Sequence, residues 1–226
     1  MSHAAGQMPN RGFSDMAAEN QRIYLIRHGE TEFNRLGVFR GQYEVGLNDR
    51  GRQQAKEIGG ALKGEGLRML LTSPLGRAVE TARIIGEVTG IAYKVDEAFN
   101  NIALGQWQGV EKDRIKRDFP EEWYLWSTEP ERLVIPGGET VVEVRRRAFS
   151  RLLEVLGEEK STLGIVTHRS VIKGLAAAML GVAPPYFWKF YIDNAAYSVF
   201  RWDGRDFSLL SWNNNSHLSE KVVEVF

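Results

Sequence analysis

The chain contains no cysteine, which excludes disulfides, thiolate nucleophiles and Cys-ligated metal. That absence fits a reducing compartment. Neither charge is in excess: 29 lysines and arginines balance 29 aspartates and glutamates. A general affinity for nucleic acid or an anionic membrane surface is thereby excluded, so any anion must be recognised by a few well-placed cations. No run is apolar enough to cross a bilayer. The nearest candidate, GLAAAMLGVAPPYFW, is short and interrupted by Gly and Pro. The opening stretch MSHAAGQMPNRGFSDMAAENQ has no apolar centre, is not a signal peptide, and reads as a polar, flexible leader over residues 1–21. These features predict a cytoplasmic protein with no nucleic-acid or membrane partner. Residues 22–226 are expected to form one domain, large enough for a substantial core. The oligomeric state stays open, a homodimer included.

What the chain does have is an alternation of strand-like and helix-like segments. IYLIRHG, MLLTS and TLGIVTH are short apolar runs ending in polar residues. After the first comes LNDRGRQQAKEIGGALKGEG, where Asn48 is placed to cap a helix whose buried face is Ala55, Ile58 and Leu62. Gly64 and Gly66 can end it. In SPLGRAVETARIIGEVTG, Ser73 is expected to cap and Pro74 to open the helix. ETVVEVRRRAFSRLLEVLGEE and SVIKGLAAAML read as two further helices, and AYSVFRW and DFSLLSW as a hairpin turning at Asp203-Gly204. The stretch from about 108 to 138, rich in charge and Trp, is expected to form short helices inserted over one edge of the sheet. Such alternation implies a largely parallel sheet covered on both faces.

Only four histidines occur. His3 lies in the leader and His217 near the C-terminus, whereas His28 and His168 each directly follow an apolar strand and precede a helix. As parallel neighbours, the two strands would bring both imidazoles to the carboxyl edge of the sheet, where ligands of α/β folds bind. Arg27 precedes His28, and Arg77 falls in the first turn of the helix after MLLTS. Helix N-termini favour anions and guanidinium forks suit phosphate oxygens, while a metal ion would be repelled by two arginines. The residues therefore predict a phosphate pocket with no metal and no cofactor.

RHGETEFN, SPLGRAVETA and IVTH resemble, in the same order and at comparable intervals, the signatures of the histidine phosphatase (phosphoglycerate mutase-like) superfamily. FRGQYEVGLNDRGRQQA and PGGETVVEVRRR match as well, so the resemblance spans roughly residues 22 to 217. It implies a three-layer α/β/α fold with a mixed, mostly parallel sheet, and phosphoryl transfer through phosphohistidine. By that resemblance His28 is the nucleophile, Arg27, Arg77 and His168 hold the phosphoryl oxygens, and Asn34 and the backbone near Gly41 contribute to the pocket. The activity implied is hydrolysis of a small phosphorylated metabolite. A phosphoglycerate mutase-type transfer is the close alternative, disfavoured by a short middle region.

Two departures from the family pattern stand out. The family places Glu or Asp four positions before the first glycine of a G-x-W-x-G block; here the block is GQWQG and the position holds Asn101. That residue should protonate the leaving oxygen and later activate water, and an amide does neither near neutral pH. Three explanations remain open: an acid-to-amide variant, a substitute carboxylate among Asp96, Glu97 and Glu30, or a protein that binds phosphoesters with little turnover. The second departure follows His168, where many family members have Gly and this chain has Arg169, with Lys173 one helical turn on. These two either face solvent or form a cationic wall for a second acidic group on the substrate.

Overall fold

The computed structural model describes residues 21–220. The predicted leader, His3 included, lies outside the described residues apart from Gln21, which already belongs to the first strand. In chain order the strands are β1 (Gln21–Arg27), β2 (Leu67–Thr72), β3 (Tyr93–Val95), β4 (Thr162–Thr167), β5 (Tyr197–Trp202) and β6 (Phe207–Asn214). They form one sheet in the order β3-β2-β4-β1-β5-β6. The β3-β2, β2-β4 and β4-β1 pairs are parallel, while β1-β5 and β5-β6 are antiparallel. The sheet is therefore mixed and its parallel part central. The Asp203-Gly204 hairpin forms as expected; the Asp203 carboxylate accepts from the amides of Arg205 and Asp206.

Among the described residues seven helices surround the sheet: α1 (Glu32–Arg35), α2 (Asp49–Leu62), α3 (Gly76–Thr89), α4 (Lys112–Asp118), α5 (Pro120–Thr128), α6 (Val141–Glu158) and α7 (Arg169–Met179). The strands alternate between the two faces, as a period of two requires. Ile23, Leu25, Leu163 and Ile165 pack with α6 and α7, while Tyr24, Ile26 and Val166 pack against α2 and α3. Both faces are thus buried, and the central strands read as unbroken apolar runs. Helix α6 shows the local logic. Val141, Val144, Ala148, Leu152 and Val155 make one buried stripe, and a Thr140–Glu143 capping box satisfies the first turn. Among the described residues no helix is long and apolar enough to cross a membrane.

Three local expectations are refined. Asn48 caps α2 as predicted, accepting from the Gly51 amide at 2.8 Å. Helix α3, however, begins at Gly76 behind an extended Leu75, and Ser73 is not its cap. The Ser73 hydroxyl accepts from the Leu75 amide at 3.4 Å, but its short contact is with His168 at 2.7 Å, so a tertiary contact takes the place of the helix cap. Helices α4 and α5 do form in the Trp-rich middle, but Trp126 of α5 lines the same cavity as His28 and His168. The insertion therefore covers the carboxyl ends of the strands.

The turn after β1 is fixed by close approach. Gly29 does not use a left-handed conformation; a Cβ there would stand 2.4 Å from the Gly51 carbonyl oxygen of α2. Reciprocally, a Cβ on Gly51 would lie 2.2 Å from the Glu30 carbonyl oxygen. Two glycines let the 28–30 turn sit directly on the helix. Gly51→Ala should therefore lower the unfolding free energy by about 1–3 kcal/mol, the usual cost of forcing a backbone shift in a packed site. Urea denaturation would show it, and an unchanged midpoint would contradict the close contact.

Candidate active site

The register of β1 against β4 places the site. Arg27 is opposite Thr167, and the His28 amide donates to the Thr167 carbonyl at 3.0 Å. The next residue on each strand is a histidine, so the two imidazoles stand abreast with ring centroids 5.1 Å apart. Both are buried. They line a cavity of about 70 Å³ together with Arg27, Arg40, Asn101 and Arg169.

His28 Nδ1 lies 2.6 Å from the Gly29 carbonyl oxygen. A carbonyl only accepts, so Nδ1 carries the hydrogen and Nε2 keeps its lone pair. Burial, then the charges of Arg77, Arg27 and Arg40, hold the His28 pKa well below its ordinary value. A neutral, correctly tautomerised imidazole is what nucleophilic attack requires. His168 is depressed for the same reasons, with burial again first and Arg77 the strongest charge. Its Nε2 meets the Ser73 hydroxyl, and its buried Nδ1 has no hydrogen-bond partner within the protein.

The cations converge on these rings. Arg27 donates through Nη1 to the Ile192 carbonyl at 2.8 Å, and burial pushes its pKa down to about 10. Arg77 does not line the cavity but is fully buried beside it, donating to the carbonyls of Tyr43 and Gly41 at 2.9 Å each. Its Nε is buried without a partner, and burial plus Arg40 and Arg27 push it down to about 9. Arg40 was not singled out in the sequence, although it adjoins Gly41 in the FRGQ block; burial and Arg27 also hold it near about 9. Gly41, at φ +50, turns its carbonyl towards both Arg77 and Asn101. Asn34 stands beside the cavity rather than in its lining; its side chain is engaged by Thr31 and Asn194.

Asn101 lines the cavity with its amide oriented at both ends. Nδ2 donates to the Gly41 carbonyl and Oδ1 accepts from the Ser170 hydroxyl, each at 2.7 Å. The three carboxylates considered as substitutes are elsewhere. Asp96 is paired with Arg151 at 2.7 Å, Glu97 is exposed, and Glu30 accepts from Asn48 at 2.8 Å. No Asp or Glu among the described residues lines the His28 cavity.

A second cavity of about 330 Å³ adjoins the first, sharing Lys112, Trp126 and Arg169 with it. Its walls include Trp123 and Trp188, and Lys173 reaches into it. Lys173 is buried, with Nζ 4.4 Å and 4.3 Å from the ring centroids of Phe187 and Trp188. Burial, then Arg169 and Arg27, push its pKa down to about 6. Arg169 and Lys173 thus both face inward.

A neutral imidazole aimed at a pocket of buried guanidiniums suits one reaction above others, attack on a phosphoryl group whose charge those guanidiniums neutralise. The fold and the site together define an enzyme of histidine-based phosphoryl transfer. Residues 23–215 match the family model of the histidine phosphatase superfamily (branch 1), and the chain belongs to that family. It is 32% identical over 204 residues to phosphoserine phosphatase 1 of Hydrogenobacter thermophilus, covering 90% of this chain and 97% of that one. It is 30% identical over 222 residues to glucosyl-3-phosphoglycerate phosphatase of Mycobacterium tuberculosis, covering 90% and 99% respectively. Among solved structures, Bacillus stearothermophilus YhfR superposes with a TM-score of 0.83 at 31% identity, covering 88% of this chain and 100% of that one.

The depressed pKa of His28 carries a testable pH dependence. The unfolded imidazole takes a proton as pH falls through about 6.5, while the folded one stays neutral. The unfolded state then binds more protons, so stability present above that pH is lost as it falls towards the folded pKa. Imidazole ¹⁵N shifts in the folded enzyme should show His28 as the neutral Nδ1–H tautomer at pH 5.5. A titration midpoint at or above 6.5 would contradict the assigned environment.

Proposed function

We propose that this phosphomonoesterase acts on small metabolites whose leaving group carries a second acidic function on a flat or apolar body. The observation that supports this reading is the adjoining cavity, with aromatic walls and three basic side chains, Lys112, Arg169 and Lys173, but no carboxylate in its lining. An acidic group bound there would raise the lowered Lys173 pKa and restore its charge. A ligand there would meet donors and π-faces rather than acceptors. Acids satisfy such donors, whereas a bare sugar, which must also donate, does so poorly. The two phosphatases named above are consistent with it, since phosphoserine and a phosphoglycerate each bear a carboxylate beside the phosphate.

In the first half-reaction His28 Nε2 attacks phosphorus in line with the leaving oxygen. Arg27, Arg40 and Arg77 take up the charge on the equatorial oxygens, and His168 supplies a further contact through Nδ1 when that atom is protonated. Fixed donors of this kind are worth roughly 2.7–4 kcal/mol each in mutational tests. The result is a phosphohistidine, which water then hydrolyses. A mutase would retain the phosphohistidine and return its phosphoryl group to the bound product; the phosphatase names of the relatives favour release to water.

Phenyl phosphate and 4-carboxyphenyl phosphate form a matched pair for testing this reading. In Arg169→Met/Lys173→Met, KM for the carboxylated ester should rise by about tenfold or more, the value of one charged hydrogen bond. KM for phenyl phosphate should change little. Equal effects on both esters would remove the second acidic group from the proposal, and failure of the native enzyme to release phosphate from either would overturn the phosphatase reading.

A further inference from the structure

Asn101 leaves the reaction without its proton donor, and the structure offers a replacement. We propose that Lys112 is the general acid and base of this active site, protonating the leaving oxygen and then activating the water that releases phosphate.

The argument begins with position. Lys112 opens α4 and lines the cavity that also holds His28, Asn101 and His168. It is the only lysine in that lining, and no carboxylate accompanies it. The other ionisable groups of the lining are less suited to donate a proton. His168 has its Nε2 on the Ser73 hydroxyl, and burial and then Arg77 hold it neutral. His28 must be neutral to attack, and the guanidiniums of Arg27, Arg40 and Arg169 are poor proton donors. The hydroxyl of Ser170 is bound to Asn101.

Lys112 is also held in place. Its amide donates to the Gly37 carbonyl at 3.1 Å, Val38 bridges Glu111, and the amides of Phe39 and Gly109 bind the Val110 and Phe39 carbonyls. This short ladder ties the start of α4 to the loop that carries Arg40 and Gly41. The backbone that carries Lys112 is therefore tied to the wall of the phosphate pocket.

Its surroundings suit proton transfer. Burial pushes the Lys112 pKa down to about 8, followed by the charges of Arg169 from α7, Arg40 from the loop and Arg27 from β1. Lys112 also borders a third cavity, whose lining includes the charged residues Arg35, Glu111, Asp113 and Lys116. An ammonium poised near the working pH gives and regains a proton far more readily than an ordinary lysine.

The steps balance. As the His28 Nε2 lone pair forms the P–N bond, the ester P–O bond breaks and its electron pair stays on the leaving oxygen. The Lys112 ammonium passes a proton to that oxygen, releasing the alcohol and leaving a neutral amine. The amine then takes a proton from water as the water oxygen bonds to phosphorus. The P–N bond breaks, its pair returns to Nε2, and inorganic phosphate departs beside a restored ammonium.

The inference rests on His28 as nucleophile, and the experiment keeps the two claims apart by using two leaving groups. p-Nitrophenolate departs without protonation, so its burst reports attack by His28 alone. Glycerol 2-phosphate needs a proton on its leaving oxygen. Lys112→Arg keeps the cation but removes the usable proton, and Lys112→Met removes both. In each, turnover of glycerol 2-phosphate should fall about 10²–10⁴-fold, while the p-nitrophenolate burst persists and phosphoenzyme accumulates behind it. The fall of native kcat/KM for glycerol 2-phosphate above about pH 8 should vanish with the lysine. Asn101→Asp placed in the Lys112→Met background should restore turnover, because it returns a carboxyl group to the cavity. If Lys112→Arg keeps native turnover of glycerol 2-phosphate, or if both substrates lose rate equally, the assignment is overturned. Release of p-nitrophenolate by Lys112→Met without any phosphorus retained on His28 would instead overturn His28.

Discussion

Two parallel strands aligned residue for residue set the two histidines on which the site is built. Because Arg27 faces Thr167 across the β1–β4 ladder, the residues that follow, His28 and His168, emerge side by side at one sheet edge. A shift of one residue would turn either imidazole to the opposite face. The register is enforced by burial on both sides, with Ile23, Leu25 and Ile165 on one face and Ile26 and Val166 on the other. Packing therefore fixes chemistry here, and the Gly29–Gly51 contact carries that precision past the strand end.

What the fold assembles at this edge is electrostatically costly. Arg27, Arg40, Arg77 and Arg169 are each depressed by burial, and Arg40, Arg77 and Arg169 also by neighbouring arginines, while Asp193 and Tyr191 partly offset the effect at Arg27. Burial, and then the charges of Arg77, Arg27 and Arg40, suppress protonation of both imidazoles. A phosphate dianion relieves that repulsion, so the arrangement that disfavours the cations in isolation favours the bound phosphoryl group. Preorganisation of this kind leaves little to rearrange during the reaction. It also explains why a lysine at the rim becomes a usable acid: burial, and then the charges of Arg169, Arg40 and Arg27, push its pKa down to about 8.

Much of this was legible in the chain. Apolar runs ending in Arg-His and Thr-His located the strand ends, the alternation of segments implied a largely parallel sheet covered on both faces, and the family resemblance implied that the sheet is mixed. The less legible features depend on contacts between distant segments. Ser73 looked like a helix cap because its sequence neighbours are Pro and Gly, but the contact that claims it comes from His168, 95 residues away. Arg40 was one arginine among many until the fold buried it. Asn101 was recognised as a break in the family pattern, yet its bonds to Gly41 and Ser170 require the loop and α7 to meet. Lys112 sits in a charged stretch that, read locally, resembles any solvated helix start.

The central claim, that the Gly29 carbonyl selects Nε2 of His28 as the attacking atom, can be measured directly. Enzyme labelled with ¹⁵N in its histidine rings, phosphorylated with p-nitrophenyl phosphate and observed by ¹⁵N–³¹P coupling, should show one phosphoryl group on Nε2 of His28. Phosphorus bonded to Nδ1 of His28, or to either nitrogen of His168, would contradict the account.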